Sequence, residues 1–287
     1  MRVGKGSCNG TFGELIQGVL GERPFLVTLP IPKLISEAIF IPNDSNGLFT
    51  GPVSKSKAIT ACEKLFQRYD VKGGGHLQFR SNIPLGKGMA SSSADIVAAI
   101  RAAADSHSLL LTEEMISQIA CEIEPTDGVM YEGAVAYDYM SGQLIDRFGS
   151  LPPFVLIGID LGGTINTIEF NRLPKSYTSL EQAAFAEAFH LVRRGMKSQN
   201  LSFICKAATL SAQINQKRLL KPYFSKFKRL AMKYEGGLVA AHSGTVLGIL
   251  LKPALVQTDE VRNMIVKQIA DIIDDHRLKP LYFSSYN

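Results

Sequence analysis

The sequence has 287 residues, of which 46% are hydrophobic, and a formal net charge of +5 at pH 7. This length allows two modest domains or one domain of two layers, and the apolar content is enough for a core. No apolar run approaches the roughly 18 residues that a membrane-spanning helix needs. The N-terminal residues also lack the apolar segment of a signal peptide. We therefore expect a cytoplasmic protein with no membrane partner.

The cysteines and the basic residues argue against two further kinds of site, a zinc site and a nucleic-acid-binding patch. Cys8, Cys62, Cys121 and Cys205 are far apart and show no zinc-site spacing, which predicts free thiols. Basic side chains are concentrated only between Lys217 and Arg229, where they alternate with Leu, Pro, Tyr and Phe. That mixture is typical of a solvated helical face and not of a nucleic-acid-binding patch.

The first half of the chain predicts an α+β arrangement. Apolar and polar residues alternate over 76–81, which predicts a strand. Helices are predicted over 55–69, 93–106 and 113–123. Thr112 is the predicted N-cap of the third helix, because two glutamates follow it in the first turn.

The second half begins with an apolar strand over 154–159. A helix is predicted from Ser179, with a capping box completed by Gln182. Further helices are predicted over 200–214, 222–234 and 259–274, and further strands over 245–251 and 281–283. The Gly149–Pro153 segment is the predicted boundary between an N-terminal domain, 1–150, and a C-terminal domain, 151–287.

A glycine- and serine-rich stretch from Pro84 to Ala94 carries the strongest functional signal. Gly86 and Gly88 allow positive φ angles and close approach of a ligand to the main chain. The serines add hydroxyl and N–H groups at the start of an alanine-rich helix over 94–104. The N-terminus of a helix attracts anions. The stretch therefore predicts a phosphate-binding loop, with an ordinary serine-capped helix as the alternative.

Two common nucleotide motifs do not fit this loop. A Walker A loop needs glycine and Ser or Thr where Ser81 and Gly88 stand. The dinucleotide-binding fingerprint lacks its acidic residue at the expected distance. The Asp160–Thr164 segment could also be a phosphate loop, but we interpret it as a strand end and turn.

The loop resembles the phosphate loop of the GHMP kinases, whose pattern is Pro-x-x-x-Gly-Leu-Gly-Ser-Ser-Ala. Met89 takes the place of the leucine and Ala90 that of the second glycine. Two more segments resemble family motifs in the family's order. Cys8–Gly18 resembles the first motif, and Ala240–Gly248 resembles the third.

The resemblance implies an α+β, two-domain GHMP kinase fold, with a ribosomal protein S5 domain 2-like N-terminal domain and a ferredoxin-like C-terminal domain. It also implies ATP and Mg²⁺ as cofactors. The implied ATP-binding residues are Pro84, Gly86, Lys87, Gly88, Met89, Ala90, Ser91, Ser92 and Ser93. The implied substrate-binding residues, from the first and third motifs, are Thr11, Gly13, Glu14, His242, Ser243 and Gly244.

Phosphoryl transfer needs charge neutralisation and a carboxylate near the attacking alcohol. Glu124 and Asp127 follow a predicted helix and flank Pro125, which ends it. Two carboxylates so spaced can serve one ion and one hydroxyl, although a surface turn is the alternative. The resemblance implies that Asp127 is the catalytic base and that Ser92 and Glu124 contact the metal. Glu122 is the alternative metal ligand.

One departure narrows the choice of substrate. Thr11 stands where many GHMP kinases carry a lysine. The sequences of Gly13–Gly18, Lys87–Ser92 and Ile123–Asp127 resemble the branch of L-threonine kinases used in cobalamin assembly. This resemblance implies that ATP phosphorylates the hydroxyl of L-threonine to give O-phospho-L-threonine and ADP. The alternatives are homoserine kinase or another amino-alcohol kinase, and a catalytically silent nucleotide-binding protein.

Overall fold

The computed structural model describes residues 2–44, 47–165, 176–273, 275 and 277–285. Its N-terminal half begins with a long hairpin and continues with short strands and helices. In chain order these elements are β1 (Gly4–Leu20), β2 (Arg23–Asn43), β3 (Phe49–Thr50), α1 (Ser56–Arg68), β4 (Gly74–Ser81), α2 (Ser91–Ser106), α3 (Glu113–Cys121), β5 (Ala134–Asp138) and β6 (Gln143–Gly149).

In the second half, three of the described helices lie between its first strand and the next two. In order these elements are β7 (Val155–Asp160), α4 (Ser179–Lys197), α5 (Leu201–Asn215), α6 (Phe224–Lys233), β8 (Gly237–Ala240), β9 (Val246–Leu251), α7 (Asp259–Ile272) and β10 (Pro280–Ser284). Short 3₁₀ turns precede α1 and α7, at Val53–Lys55 and Pro253–Val256. None of the described helices is long and apolar enough to span a bilayer.

One sheet runs through both halves, in the order β10-β7-β9-β8-β1-β2-β4-β3, and β5 pairs with β2 and β6. All of these pairs are antiparallel except β3 with β4. The halves meet where Glu14 of β1 pairs with Ala240 of β8. The predicted boundary near residue 150 falls between β6 and β7, and the division into two domains stays a prediction.

Helix α2 lies at the centre of the main core, which explains its alanine-rich sequence. It packs on β1, β2 and α1, and every residue is buried except Ser92, Arg101 and Asp105. A helix that is buried on nearly all sides needs small apolar side chains so that the strands can approach it. The phosphate-loop end of α2 is therefore fixed by the core.

The helix termini confirm one capping prediction and correct another. The Thr112 side chain accepts a hydrogen bond from the Met115 N–H at 3.3 Å, as an N-cap does. The capping box of α4 is formed by Thr178 and Glu181, so the prediction of Gln182 as its partner was wrong. Thr178 has the extended backbone that an N-cap requires, which moves the box one residue toward the N-terminus.

Composition-based predictions agree with the structure, with one exception. All four cysteines are free thiols, and α+β is confirmed as the fold class. The basic stretch forms the turn after α5 and the first part of α6, and most of its cations are not buried. Lys221 departs from this pattern, because it is buried.

Candidate functional site

The glycine- and serine-rich loop joins β4 to α2 and holds several left-handed residues. The φ angles are +70° at Gly86, +76° at Gly88 and +58° at Ala90, the N-cap of α2. No described side chain caps this helix. The first N–H groups of a helix have no intrahelical partner, so those of α2 are available to an anion. The alternative of an ordinary serine cap is therefore not what the structure shows.

The loop packs main chain to main chain on the first- and third-motif segments. The Gly13 N–H donates to the Gly88 carbonyl at 3.0 Å, and the Thr245 N–H donates to the Lys87 carbonyl at 2.9 Å. A Cβ atom on Gly88 would lie 2.5 Å from Ala241 Cβ, and one on Gly244 would lie 2.2 Å from the Lys87 carbonyl oxygen. Such distances leave no room for a side chain at either glycine. The three motifs therefore form one rigid unit.

A cavity of about 240 Å³ opens beside the N-terminus of α2. It brings together most of the predicted site residues with several that the sequence did not indicate. The predicted residues lining it are Glu14, Gly86, Gly88, Met89, Ala90, Ser91, Ser92, Ser93, Glu124, Asp127 and Ser243. The others are Lys57, Leu85, Pro125 and Ile165.

Glu124 lies at the centre of a polar cluster in this cavity. The Ser92 hydroxyl donates to Glu124 Oε1, and the Lys57 ammonium contacts Oε2 at 2.5 Å. Glu124 is buried, whereas the Lys57 side chain is 43% exposed. The carboxylate is therefore held in place by the fold, and its lysine partner reaches it from the rim.

The donor set of this cluster suits a hard divalent cation. A serine hydroxyl and a carboxylate at a phosphate site are ligands that Mg²⁺ accepts, with water and phosphate oxygens completing its shell. Among the described residues, no group of three His, Cys, Asp or Glu side chains could form an all-protein metal site. Ser92 and Glu124 therefore fit a metal that arrives with a nucleotide.

Asp127 lies next to this cluster, and the pKa of its carboxyl group is well above the ordinary value. Its Oδ2 atom is 3.3 Å from the Ser93 hydroxyl, which also accepts the Asp127 N–H at 3.2 Å. Burial of the carboxyl group, with a smaller contribution from the Glu14 charge, raises its pKa from 3.8 to about 7. The Ser93 hydrogen bond opposes this rise. A carboxyl group that titrates near neutral pH is suited to accept a proton.

Glu14 connects the cavity to a buried chain of hydrogen bonds. Its Oε2 atom accepts the His242 N–H at 3.0 Å and lies 3.2 Å from His242 Nδ1. The other ring nitrogen lies 2.9 Å from the Ser211 hydroxyl, which accepts the Gln17 N–H. His242 thus orients Glu14, which itself lines the cavity, and the substrate-binding role predicted for His242 stays a prediction.

Several predicted residues do not line the cavity. The Lys87 ammonium contacts Asp160 at 2.8 Å and the Gly163 carbonyl at 2.6 Å. The Thr11 N–H supports the loop through the Met89 carbonyl at 3.1 Å, and its side chain lines a separate cavity of about 360 Å³. Pro84, Gly13, His242 and Gly244 also lie outside the cavity lining.

The alternative metal ligand, Glu122, points elsewhere. It forms ion pairs with Lys64 at 2.8 Å and with Arg68, and its side chain is 39% exposed. The Lys64 hydrogen bond lowers its pKa below the ordinary value. Of the two glutamates, only Glu124 lines the cavity.

Lys221 is a buried cation that the sequence did not single out. Its ammonium donates to the Gly244 carbonyl at 2.6 Å, which fixes the third-motif loop. Burial lowers its pKa to about 8, against the opposing effect of the Glu14 charge. No motif marks Lys221 or Lys57, since both act through contacts that exist only in the folded chain.

Sequence comparisons match the chain to a known family and to two curated relatives. Residues 56–136 match the family described as GHMP kinases N terminal domain. An L-threonine kinase from Citrobacter freundii is 30% identical over 91% of this chain and 91% of its own length. A second L-threonine kinase, from Salmonella typhimurium, is 30% identical over 87% of this chain and 83% of its own length.

Solved structures share the fold at lower identity. The homoserine kinase from Cytophaga hutchinsonii superposes with a TM-score of 0.74 at 16% identity, covering 99% of this chain and 95% of its own. A structure described as MDDEF in complex with MVAPP, AMPPCP and magnesium has a TM-score of 0.67 at 12% identity, covering 99% of this chain and 97% of its own.

Proposed function

The chain belongs to the GHMP kinases and is an alcohol-acceptor phosphotransferase, and on this basis we propose that it transfers the γ-phosphoryl group of ATP to the hydroxyl of L-threonine. One observation gives this proposal its main support. The cavity beside the uncapped N-terminus of α2 also holds Asp127, whose pKa lies near 7. A phosphate site and a proton acceptor thus lie in one cavity.

The phosphate loop binds and orients the nucleotide. The N–H groups at the start of α2 and the helix dipole attract the triphosphate. Ser92 and Glu124 would hold Mg²⁺, which neutralises charge on the phosphates when bound. The packing of the loop on Ala241 and Gly244 keeps these donors in place without reorganisation during transfer.

Asp127 orients the acceptor. The threonine oxygen forms a bond to the γ-phosphorus while the bond between that phosphorus and the β,γ-bridging oxygen breaks, so that ADP leaves. The hydroxyl proton passes to the Asp127 carboxylate. The Ser93 hydrogen bonds fix the direction of this carboxylate. Because phosphoryl transfer is largely dissociative, much of the role of Asp127 is orientation.

Glu14 and Ser243 are the proposed contacts for the amino acid. The Glu14 carboxylate lines the cavity and is held by His242, so it can accept hydrogen bonds from the threonine ammonium. Ser243, in the third-motif loop, lies in the same lining and can serve the threonine carboxylate. The 30% identity to two L-threonine kinases supports threonine as acceptor. A role in cobalamin assembly stays a prediction. A cytoplasmic location stays a prediction.

A second candidate is homoserine as the acceptor, which the fold likeness to a homoserine kinase favours. Both amino alcohols carry the same ammonium and carboxylate groups, and they differ in the position of the hydroxyl. ADP release should be measured with L-threonine, L-homoserine and L-serine, and the product identified by phosphorus NMR. The proposal expects O-phospho-L-threonine and the highest kcat/KM for threonine. A higher kcat/KM for homoserine would make the second candidate correct.

A further inference from the structure

Lys57 is the one cation among the described side chains that line the cavity. The cavity also holds three carboxyl groups, those of Glu14, Glu124 and Asp127. A triphosphate needs positive charge that this acidic lining does not supply. Lys87, the lysine of the phosphate loop itself, contacts Asp160 and the Gly163 carbonyl.

We propose that Lys57 is a nucleotide-binding residue that exchanges partners. In the free protein it neutralises Glu124, and when metal and nucleotide bind, the metal takes Glu124 and the lysine moves to the phosphates. This inference rests on the proposed kinase function and adds a residue and an order of events to it.

The burial of the two partners determines which of them moves. Glu124 is 5% exposed and is anchored by Ser92, so its carboxylate needs a cationic partner in every state. The Lys57 side chain is 43% exposed and lies at the start of α1, so it can swing without unpacking the core. In the free protein, the Lys57 ammonium therefore occupies the position beside Glu124 that a metal would take.

Exchange keeps the charges balanced. A divalent cation on Ser92 and Glu124 would repel the Lys57 ammonium in its present position, 2.5 Å from Glu124 Oε2. The phosphate oxygens that arrive with the metal offer this ammonium a charge-assisted hydrogen bond close by. The same lysine therefore opposes the binding of metal alone and favours the binding of metal together with nucleotide.

The opposite signs of these two effects give a sharp test. The binding of Mn²⁺ alone is measured by electron paramagnetic resonance, and that of Mn²⁺ with AMP-PNP by calorimetry. Lys57→Met should bind Mn²⁺ alone about threefold or more tightly than the wild type, and the Mn²⁺–nucleotide complex about tenfold more weakly. Lys57→Gln, which keeps a hydrogen-bond donor without the charge, should change both affinities in the same directions.

Lys64→Met is the matched control, because Lys64 lies on the same helix and pairs with a glutamate outside the cavity. It should leave both affinities within about twofold of the wild type. Nucleotide affinity unchanged in both Lys57 variants, or weaker binding of Mn²⁺ alone, would overturn the inference. Failure of the wild type to phosphorylate any amino alcohol would instead refute the proposed function, because these binding measurements do not depend on turnover.

Discussion

The Lys87 ammonium lies 2.8 Å from a carboxylate oxygen of Asp160, so the lysine of the phosphate loop is bound to the end of β7. The same carboxylate accepts the Thr245 hydroxyl and the Gly162 N–H. Burial opposes the ionisation of Asp160, but these hydrogen bonds outweigh it and lower its pKa. The contact ties the phosphate loop, β7 and the third-motif loop together.

We expect Lys87→Met and Asp160→Asn to weaken ATP binding to a similar extent, because each frees the loop from β7. A double-mutant cycle on the free energy of unfolding should give a coupling of about 1 kcal/mol, since the pair is only partly buried. Fully additive effects would show that the two residues act separately. ATP affinity is measured by calorimetry on all four proteins.

Gly88→Val should both destabilise the fold and abolish nucleotide binding. The positive φ angle and the 2.5 Å approach to Ala241 Cβ leave no place for a branched side chain. We expect a loss of about 2–4 kcal/mol in the free energy of unfolding, from backbone strain plus overpacking.

Gly162→Ala is the matched control for this loss, because its φ angle is +82° and no atom lies within 4 Å of the added Cβ. It should cost only about 1 kcal/mol. Urea titrations compare the two variants. Equal losses would mean that backbone strain alone acts at Gly88 and that the close packing of the loops contributes nothing.

Asp127→Asn should lower kcat by about 10² to 10⁴ while ATP affinity changes little, because the amide keeps the shape but cannot accept a proton. In the wild type, kcat should rise with pH through about 7 as the carboxyl group ionises. Steady-state rates over this range provide the measurement. A loss of less than about threefold, far below that range, would leave Asp127 as a turn residue.

The same substitution should stabilise the protein at alkaline pH. The pKa of Asp127 is about 7 in the folded chain, above its ordinary value of 3.8, so between these values the folded state binds more protons than the unfolded state. The free energy of unfolding therefore falls as pH rises from about 4 to about 7. Asp127→Asn lacks this loss, and its Tm should exceed that of the wild type at pH 8 but not at pH 4. Calorimetry at both pH values tests the sign.

Glu14→Gln should raise the KM for threonine about tenfold, because it removes the charge offered to the ammonium group, and should leave ATP affinity nearly unchanged. The charge of Glu14 raises the pKa of Asp127, so the rising limb of the pH–rate profile should also move to lower pH. An unchanged KM together with an unmoved pH profile would exclude Glu14 from the site.

Local patterns predicted most of the elements, and the family resemblance indicated most of the residues that line the cavity. The alternation over 76–81 and the apolar run over 154–159 correspond to β4 and β7, because each reports burial directly. The phosphate loop was predictable because positive φ angles and uncapped N–H groups demand glycine and small residues. The cap of α4 was misplaced by one residue, since Thr178 and Ser179 are both good N-caps and only the backbone angles distinguish them.

Long-range contacts were not predictable in this way. The orientation of Lys87 depends on Asp160, which lies far away in the sequence, and the burial of Lys221 depends on the Gly244 carbonyl. Within its own segment each lysine looks like a surface cation. The same holds for Lys57, whose partner Glu124 follows α3 and is brought close because α1 packs against α2 and α3.

The pairing of Glu14 with Ala240 joins the two parts of the sheet. An amino acid held by the Glu14 side chain would therefore bind at the junction between the halves. Its binding free energy would stabilise each half against unfolding. Partial opening of one half should release the acceptor. Saturating acceptor should consequently make the chain melt as one cooperative unit, and protease cleavage between β6 and β7 should slow in step with occupancy.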